Sequence, residues 1–594
     1  MDQQHLLKAK DCLFISALTL LLLVPFIPSV PLPLAASAEA KTPQYLYLYD
    51  IDGEGNTAVK VNFVHETSNQ ASSWLIVPSF VPWTNRTNQG ALFSFKVEPI
   101  FVNGKEDPFW RNYTFAYIPT KGTFNLTITF WIEQYAYIIE PNGFFLSSQI
   151  GYSPSALGST IILLPEGARV SSSGIRLIDY STGTILSPSS LRIGTREGRT
   201  EIQCGTTYSS RVAVYFTEPR KTAEISIYTL GRFSVQTATR YEEKAWNFLR
   251  LYNNSYPILS DIFGVSLEKV NVTLFIPTMD QFLSGLGGFV PFSETTGPGF
   301  VNLNMFYFRK VSGFIEIIAL HELVHHFVWA VGFSPRKLWV HEGMAEYFSI
   351  EVAKVLGLHE GAQEHEDSLL GVSKGLGNSL GFVQDWGAYQ TSGNMEYYAA
   401  SWKIFKTLGD SYGGLEYYRR FFRELKTLGK DLEDPTIITA LGLAAGDVTH
   451  VCEQFRDWGF KNVVDVASLQ AILSEAEGRA SGLSILLQPS KALADLLLRR
   501  AKTALKSGDY DFALKQVEYA LFFVTYAFQV TLLTFMGGTL GLVSIYWYLR
   551  LRKATAKPSF PYYPIPSEPS FCYICGARLP PGAIYCPECG RRQR

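Results

Sequence analysis

The chain has 594 residues, 47% of them hydrophobic and 14% aromatic, with a formal net charge of −1. This length and apolar content provide core material for several domains. The balanced charge excludes the broad basic footprint of a nucleic-acid-binding protein. At the N-terminus Lys8 and Lys10 precede the apolar run Leu13 to Val24, and Leu34-Ala35-Ala36-Ser37-Ala38-Glu39-Ala40 offers small-residue cleavage points after Ala38 or Ala40. Residues 1–40 therefore read as a signal peptide, with an uncleaved anchor as the competing reading. Residues 41–230 carry the pattern of an all-β, sandwich-like domain. Val59, Val61 and Phe63 alternate with Lys60 and Asn62, and Phe124, Leu126, Ile128 and Phe130 alternate with Asn125, Thr127 and Thr129. Gly, Pro, Ser and Asn cluster between such runs, as turns require. The sequons at Asn85, Asn112, Asn125, Asn253 and Asn271 fit a glycosylated, outward-facing region, with Asn125 on the polar side of its strand. This domain gates substrate or acts as a spacer; the pattern does not choose between them.

The densest chemistry follows. Phe314 to Ala330 is an apolar run with no Pro or Gly, bounded by Gly313 and Gly332, and reads as a buried helix. It contains His321-Glu322-Leu323-Val324-His325, whose two histidines, four residues apart, share a face and can aim at one metal with Glu322 beside them. Glu342 lies sixteen intervening residues beyond His325, on a second helix-like stretch that a turn would bring back against the first, and is the candidate third ligand. Glu346, four residues further, shares the face of Glu342, where it would either accept the second ring N–H of a ligating histidine or lie solvated at the surface. His326 points about 100° away from His325 and is a poor ligand. His341 is either a substrate contact or an exposed histidine.

With Trp339, Glu342, Gly343, Ala345 and Tyr347 in the order Trp-x-x-Glu-Gly-x-Ala-x-Tyr, these residues resemble the gluzincin metallopeptidases, the aminopeptidase N type and the looser peptidase MA-like group. The resemblance runs from about Ala238 to Phe460, within a domain placed at 231–465. It implies an α+β, thermolysin-like catalytic domain with a helical C-terminal part and a zinc ion on His321, His325 and Glu342. The open fourth position of such a site holds a water of pKa about 7, for which Glu322 would be the general base. The family's oxyanion-stabilising tyrosine corresponds to Tyr397 or Tyr398. Two departures bear on specificity. The family's Gly-x-Met-Glu-Asn segment, which holds a free substrate amine, is missing: the region reads Gly287-Gly288-Phe289-Val290-Pro291 and Gly297-Pro298-Gly299-Phe300, and Glu294 sits in unmatched surroundings. An endopeptidase is therefore expected over an aminopeptidase. The ligand spacing, two residues shorter than in aminopeptidase N, favours the MA-like group.

Residues 466–520 read as a helical stalk, in which Ala501 to Leu514 resembles a single tetratricopeptide-like hairpin. From 521 to 549 no charged residue occurs, long enough for one transmembrane helix. Arg550, Arg552, Lys553 and Lys557 follow, and place the far side in the cytoplasm and the catalytic domain outside the cell membrane. A linker at 550–571 contains Pro558, Pro561, Pro564, Pro566 and Pro569. Cys572, Cys575, Cys586 and Cys589, in two Cys-x-x-Cys-Gly knuckles within 572–590, resemble a short zinc ribbon with a closed, structural four-thiolate site; redox pairs and haem attachment fit the duplicated knuckles less well. Arg591, Arg592 and Arg594 read as a solvated basic tail, in preference to a contact with nucleic acid or anionic lipid. Cys204 and Cys452 have the option of one disulfide.

The expected protein is thus a single-pass, outward-facing zinc metallopeptidase with one catalytic and one structural zinc ion, acting on a peptide or protein, its ribbon available to a cytosolic partner. The alternative is a non-catalytic receptor or assembly protein that uses the same fold for binding. A soluble hydrolase of small esters or epoxides fits the tether poorly.

Overall fold

The computed structural model describes residues 41–102, 105–179, 184–188, 190–293, 296–387, 395–428, 432–507, 509–554, 571–580 and 582–592. The signal segment, Glu294, the linker prolines and Arg594 lie outside them. The chain divides into two compact units, one of residues up to Ile472 with Lys502–Leu514, the other of Leu473–Ala501 with Lys515 onward.

The first unit begins with β structure. A seven-stranded sheet runs in the spatial order Arg192–Arg196, Arg199–Thr206, Leu157–Leu163, Gln44–Ile51, Thr57–Glu66, Thr123–Ile132, Trp83–Gln89. Its Gln44–Ile51 strand is antiparallel to Thr57–Glu66 and parallel to Leu157–Leu163. Alternation sends Tyr45, Tyr47, Tyr49, Val59, Val61, Phe63, Phe124, Leu126 and Ile128 inward. They meet Tyr113, Phe115 and Tyr117 of a three-stranded sheet built from Ala71–Pro78, Lys105–Ile118 and Ala91–Val102. The tyrosine hydroxyls buried there find partners: Tyr45 and Tyr49 reach Ser73 and Ser148 at 2.6 Å, and Tyr47 donates to Gly151 O at 3.2 Å.

A third sheet joins this core to the next. Its strands include Ile175–Asp179, Ser209–Thr217, Asn142–Leu146 and Ala136–Ile139. Phe145, Val212, Val214 and Phe216 face the β core, whereas Phe144, Leu146, Ala213 and Tyr137 face the core of the helical part. Because neighbouring residues on a strand point to opposite faces, one sheet seals two cores. Cys204 lies in the first core and Cys452 in the second, both as free thiols, so the optional disulfide does not form.

The second core is α+β. A five-stranded sheet, in the order Ile225–Leu230, Phe233–Ala238, Val270–Phe275, Val301–Asn304, Gly288–Phe289, lies beside α1 (Glu242–Phe263), α2 (Met279–Leu283) and α3 (Phe314–Val331). Ile225–Leu230, within the range expected for the β domain, is the outer strand of this sheet. After α3 come α4 (Leu338–Val355), α5 (His359–Ser373), α6 (Met395–Tyr412), α7 (Gly414–Leu428), α8 (Asp434–Ala445) and α9 (Val448–Asp457). Helix α3 is largely apolar and buried, with Leu320, Leu323, Val324, Phe327 and Val328 fully inside. Gly313 (φ 87°) and Gly332 (φ 111°) bound it in left-handed conformations. Gly361 approaches Gly313 so closely that a Cβ there would stand 2.4 Å from the Gly313 carbonyl carbon, which locks α5 against the start of α3.

Beyond these, the described residues form α10 (Val466–Ser481), α11 (Gln488–Lys506), α12 (Tyr510–Thr525) and α13 (Ala527–Ala554). The charge-free run from 521 divides at Tyr526: its first residues end α12 and the remainder belongs to α13. Helix α13 is long and apolar enough to cross a membrane, and its apolar side chains are exposed, Leu533 at 67% and Leu542 at 68%.

Candidate metal centre

Two helices converge to build the site. Helix α4 is pinned at its start by Asp434, which accepts from Lys337 Nζ (2.9 Å), Trp339 Nε1 (3.1 Å) and, through its other oxygen, Gln384 Nε2 (2.7 Å). Trp339 also packs on Phe405 and Phe460, with ring centroids 5.9 and 5.4 Å away. One turn on, Gly343 lets α4 touch α6, since a Cβ there would meet the Phe405 ring at 2.7 Å and Ser401 O at 3.0 Å. Tyr347 closes the pattern by packing on Tyr418 at 5.0 Å. The Trp-x-x-Glu-Gly-x-Ala-x-Tyr residues thus orient the helix that carries Glu342.

Glu342 Oε2 lies 3.1 Å from His321 Nε2 and 3.6 Å from His325 Nε2, and one donor atom from each of the three residues falls within 4.8 Å of the others. Metal–nitrogen and metal–oxygen bonds of about 2.0–2.2 Å in tetrahedral array place ligand atoms about 3.3–3.6 Å apart, so the spacing fits one ion. Glu346, buried, sets an oxygen 3.6 Å from His321 Nδ1, in ion-pair range, while its other oxygen is 2.5 Å from His365 Nε2. His365, on α5, was not marked by any sequence pattern. It holds the carboxylate that faces Nδ1 of His321. Burial opposes the charge on Glu346, yet His365 and His321 hold it well below the usual carboxylate range. Burial likewise works against a charged His321, and Glu346 and Glu342 raise it nonetheless.

Glu322 is buried on the same turn, and burial pushes its carboxyl up to about 8. The sheet-edge strand Gly288–Phe289 passes beside it: a Cβ on Gly288 would stand 2.9 Å from Glu322 Oε1. A Cβ at 288 would also stand 2.9 Å from the Asn302 carbonyl oxygen, so a side chain there would crowd both Glu322 and the neighbouring strand. Phe292 forms a further wall, edge-on to His325 (6.2 Å) and His341 (5.7 Å).

The two tyrosines separate clearly. Both pack on Trp386, Tyr397 at 5.1 Å and Tyr398 at 4.9 Å, and Tyr397 alone also packs on Phe382, at 4.9 Å. Burial first, then the charges of Glu342, Glu346 and Glu322, raise the Tyr398 hydroxyl well above its ordinary value. His341 is buried rather than exposed, with Nε2 3.4 Å from Phe333 O, and burial lowers it to about 4. His326 is buried too, and burial lowers it to about 4.

The four late cysteines form a second cluster. Cys572 Sγ and Cys589 Sγ are 3.7 Å apart, and Cys575 Sγ and Cys586 Sγ 3.6 Å. A disulfide is about 2.05 Å, whereas four thiolates at about 2.3 Å from zinc have edges near 3.8 Å. Both knuckles repeat one geometry: Gly576 N–H donates to Cys572 O and Gly590 N–H to Cys586 O, each at 2.9 Å, with φ of 73° and 69° at the glycines. Four thiolates on one zinc ion leave no open coordination position.

No family model matches the chain, and no curated protein does. Among solved structures it is similar to native yeast LTA4 hydrolase, with 14% identity and a TM-score of 0.30 over 74% of this chain and 72% of that one. It is also similar to an M1 zinc metallopeptidase from Deinococcus radiodurans, with 13% identity and a TM-score of 0.26 over 70% and 94% of the two chains. At that extent of likeness, function rests on the residues of the site.

Proposed function

We propose that the chain is a membrane-anchored, outward-facing zinc metallopeptidase. The observation that supports this reading best is the convergence of His321, His325 and Glu342 within 4.8 Å beside a buried Glu322. When bound there, zinc supplies Lewis acidity toward a carbonyl and an acidified water. Glu322 takes the proton of the attacking water and passes it to the leaving amine. Tyr398 donates its hydroxyl to the developing oxyanion. Glu346, ordered by His365, orients His321. The edge strand Gly288–Phe289 offers backbone groups to an extended peptide, which suits cleavage within a chain. Helix α13 is the tether, with Arg550, Arg552 and Lys553 on the cytoplasmic side. The Cys572–Cys589 ribbon then lies in the cytosol, available to a partner there.

The test is hydrolysis of a quenched peptide library by the full chain in detergent, with and without a chelator, using blocked and free N-termini. Chelator-sensitive cleavage of blocked peptides is expected. Cleavage confined to free N-termini would overturn the endopeptidase reading, and bound metal without cleavage would favour a binding protein.

A further inference from the structure

The second compact unit carries an exposed apolar tip. Between α10 and α11 the chain forms a 3₁₀ turn, Ile485–Leu487, in which Ile485 and Leu486 are 79% and 78% exposed. Among the described residues these are the most exposed large apolar side chains, above any on α13. The turn packs on α13. Ser490, buried at the start of α11, donates its hydroxyl to Ala527 O at 2.9 Å and lies 3.1 Å from Thr531 Oγ1, itself buried. These contacts hold the tip beside the first turns of α13, where Phe528, Leu532, Leu533 and Phe535 are also exposed.

Two charge-free stretches therefore meet. No charged residue occurs between Arg479 and Lys491, and none between Glu518 and Arg550. Contiguous exposed apolar surface of this kind marks an interaction site, and water is an unfavourable neighbour for it. The polar demands of the turn are small: Leu487 N–H donates to Ser484 O at 3.0 Å, and the polar Ser484 and Gln488 flank Ile485, Leu486 and Leu487. The surface adjoins a helix long and apolar enough to cross a bilayer, and lipid is the partner that suits both at once.

We propose that the Ile485–Leu487 turn is a membrane-inserting tip that enters the outer face of the bilayer crossed by α13. The inference rests on the reading of α13 as a span. Tip and helix together give this unit two attachments to the bilayer, so that α13 does not tilt freely beneath it.

The experiment uses the full chain in liposomes with a genetically encoded solvatochromic amino acid at Leu486, at Leu542 on α13, or at Leu157, which is 60% exposed on the β domain. Each position is exposed, so folding is not at stake. Emission is read with acyl-brominated lipid and with aqueous iodide as quenchers. The expected result is a blue shift at 486 with brominated-lipid quenching at least half that at 542, and iodide quenching alone at 157. A probe at 486 that behaves like 157, while 542 is quenched by lipid, overturns the proposal and leaves the span standing. Iodide quenching alone at both 486 and 542 overturns both. A blue shift at 486 without lipid quenching overturns it in favour of a protein contact.

Discussion

Gly343→Ala separates stability from catalysis. Gly343 lies at the contact of α4 with α6, and Tyr398, Ser401 and Phe405 share the α6 face toward it at positions i, i+3 and i+7. A methyl group at 343 meets the Phe405 ring at 2.7 Å, against an optimal carbon–carbon separation of about 3.5–4.0 Å. Relief takes a shift of about 0.8 Å or more between the helices. Overpacking of this kind costs about 1–3 kcal/mol, and replacing a helical glycine by alanine returns about 1 kcal/mol, leaving a net loss of about 0–2 kcal/mol. Activity has no such compensation. Displacing the Tyr398 hydroxyl by nearly 1 Å from the carbonyl it serves lowers kcat by up to about 100-fold. The control is Gly371→Ala on α5, where nothing stands within 4 Å of a new Cβ; it gains about 0.5–1 kcal/mol with unchanged turnover. Denaturant melts and kcat on a quenched peptide, measured on both variants, decide the matter. A Gly343→Ala protein stabilised like Gly371→Ala and fully active would refute the claim that this contact places Tyr398.

Tyr398→Phe is expected to lower kcat by about 100- to 1000-fold with KM little changed, and Tyr397→Phe to retain near-normal turnover; steady-state kinetics on one peptide compares them. His365→Ala is expected to weaken zinc binding about 10- to 100-fold in chelator competition while the fold persists, and His365→Gln, which keeps a donor toward Glu346, to recover most of it. Cys589→Ser is expected to remove one zinc per chain by elemental analysis and to unfold the ribbon, whose core is little more than Cys572, Leu579 and Cys586. Peptide hydrolysis in that variant stays unchanged.

The site was legible where its logic is local. His321, Glu322 and His325 are one helical turn, and Glu342 follows within a helix hairpin, so spacing alone brings them together. The strands around Val61 and Leu126 announced themselves through period-two alternation, and their inward residues are the core. What escaped depends on distant packing. His365 meets Glu346 only because Gly361 seats α5 against Gly313. Tyr397 and Tyr398 differ by about 100° around α6; both meet Trp386, and what distinguishes them is Phe382 against Tyr397 and the site's carboxylate charges acting on Tyr398. His341 looked equally able to be exposed, and is buried by Phe292 and the Phe333 backbone. The closeness of Gly288 to Glu322 and to the Asn302 backbone likewise shows only in the fold.

The most direct measurement of the central claim is Glu322→Gln in the purified full chain, with zinc content and chelator-sensitive peptide cleavage read on the same sample. The amide keeps the shape of the side chain against Gly288 and leaves His321, His325 and Glu342 intact, but cannot accept a proton. The account predicts wild-type zinc content with turnover lower by at least about 100-fold. Turnover near that of the unmodified chain, with zinc still bound, would contradict it.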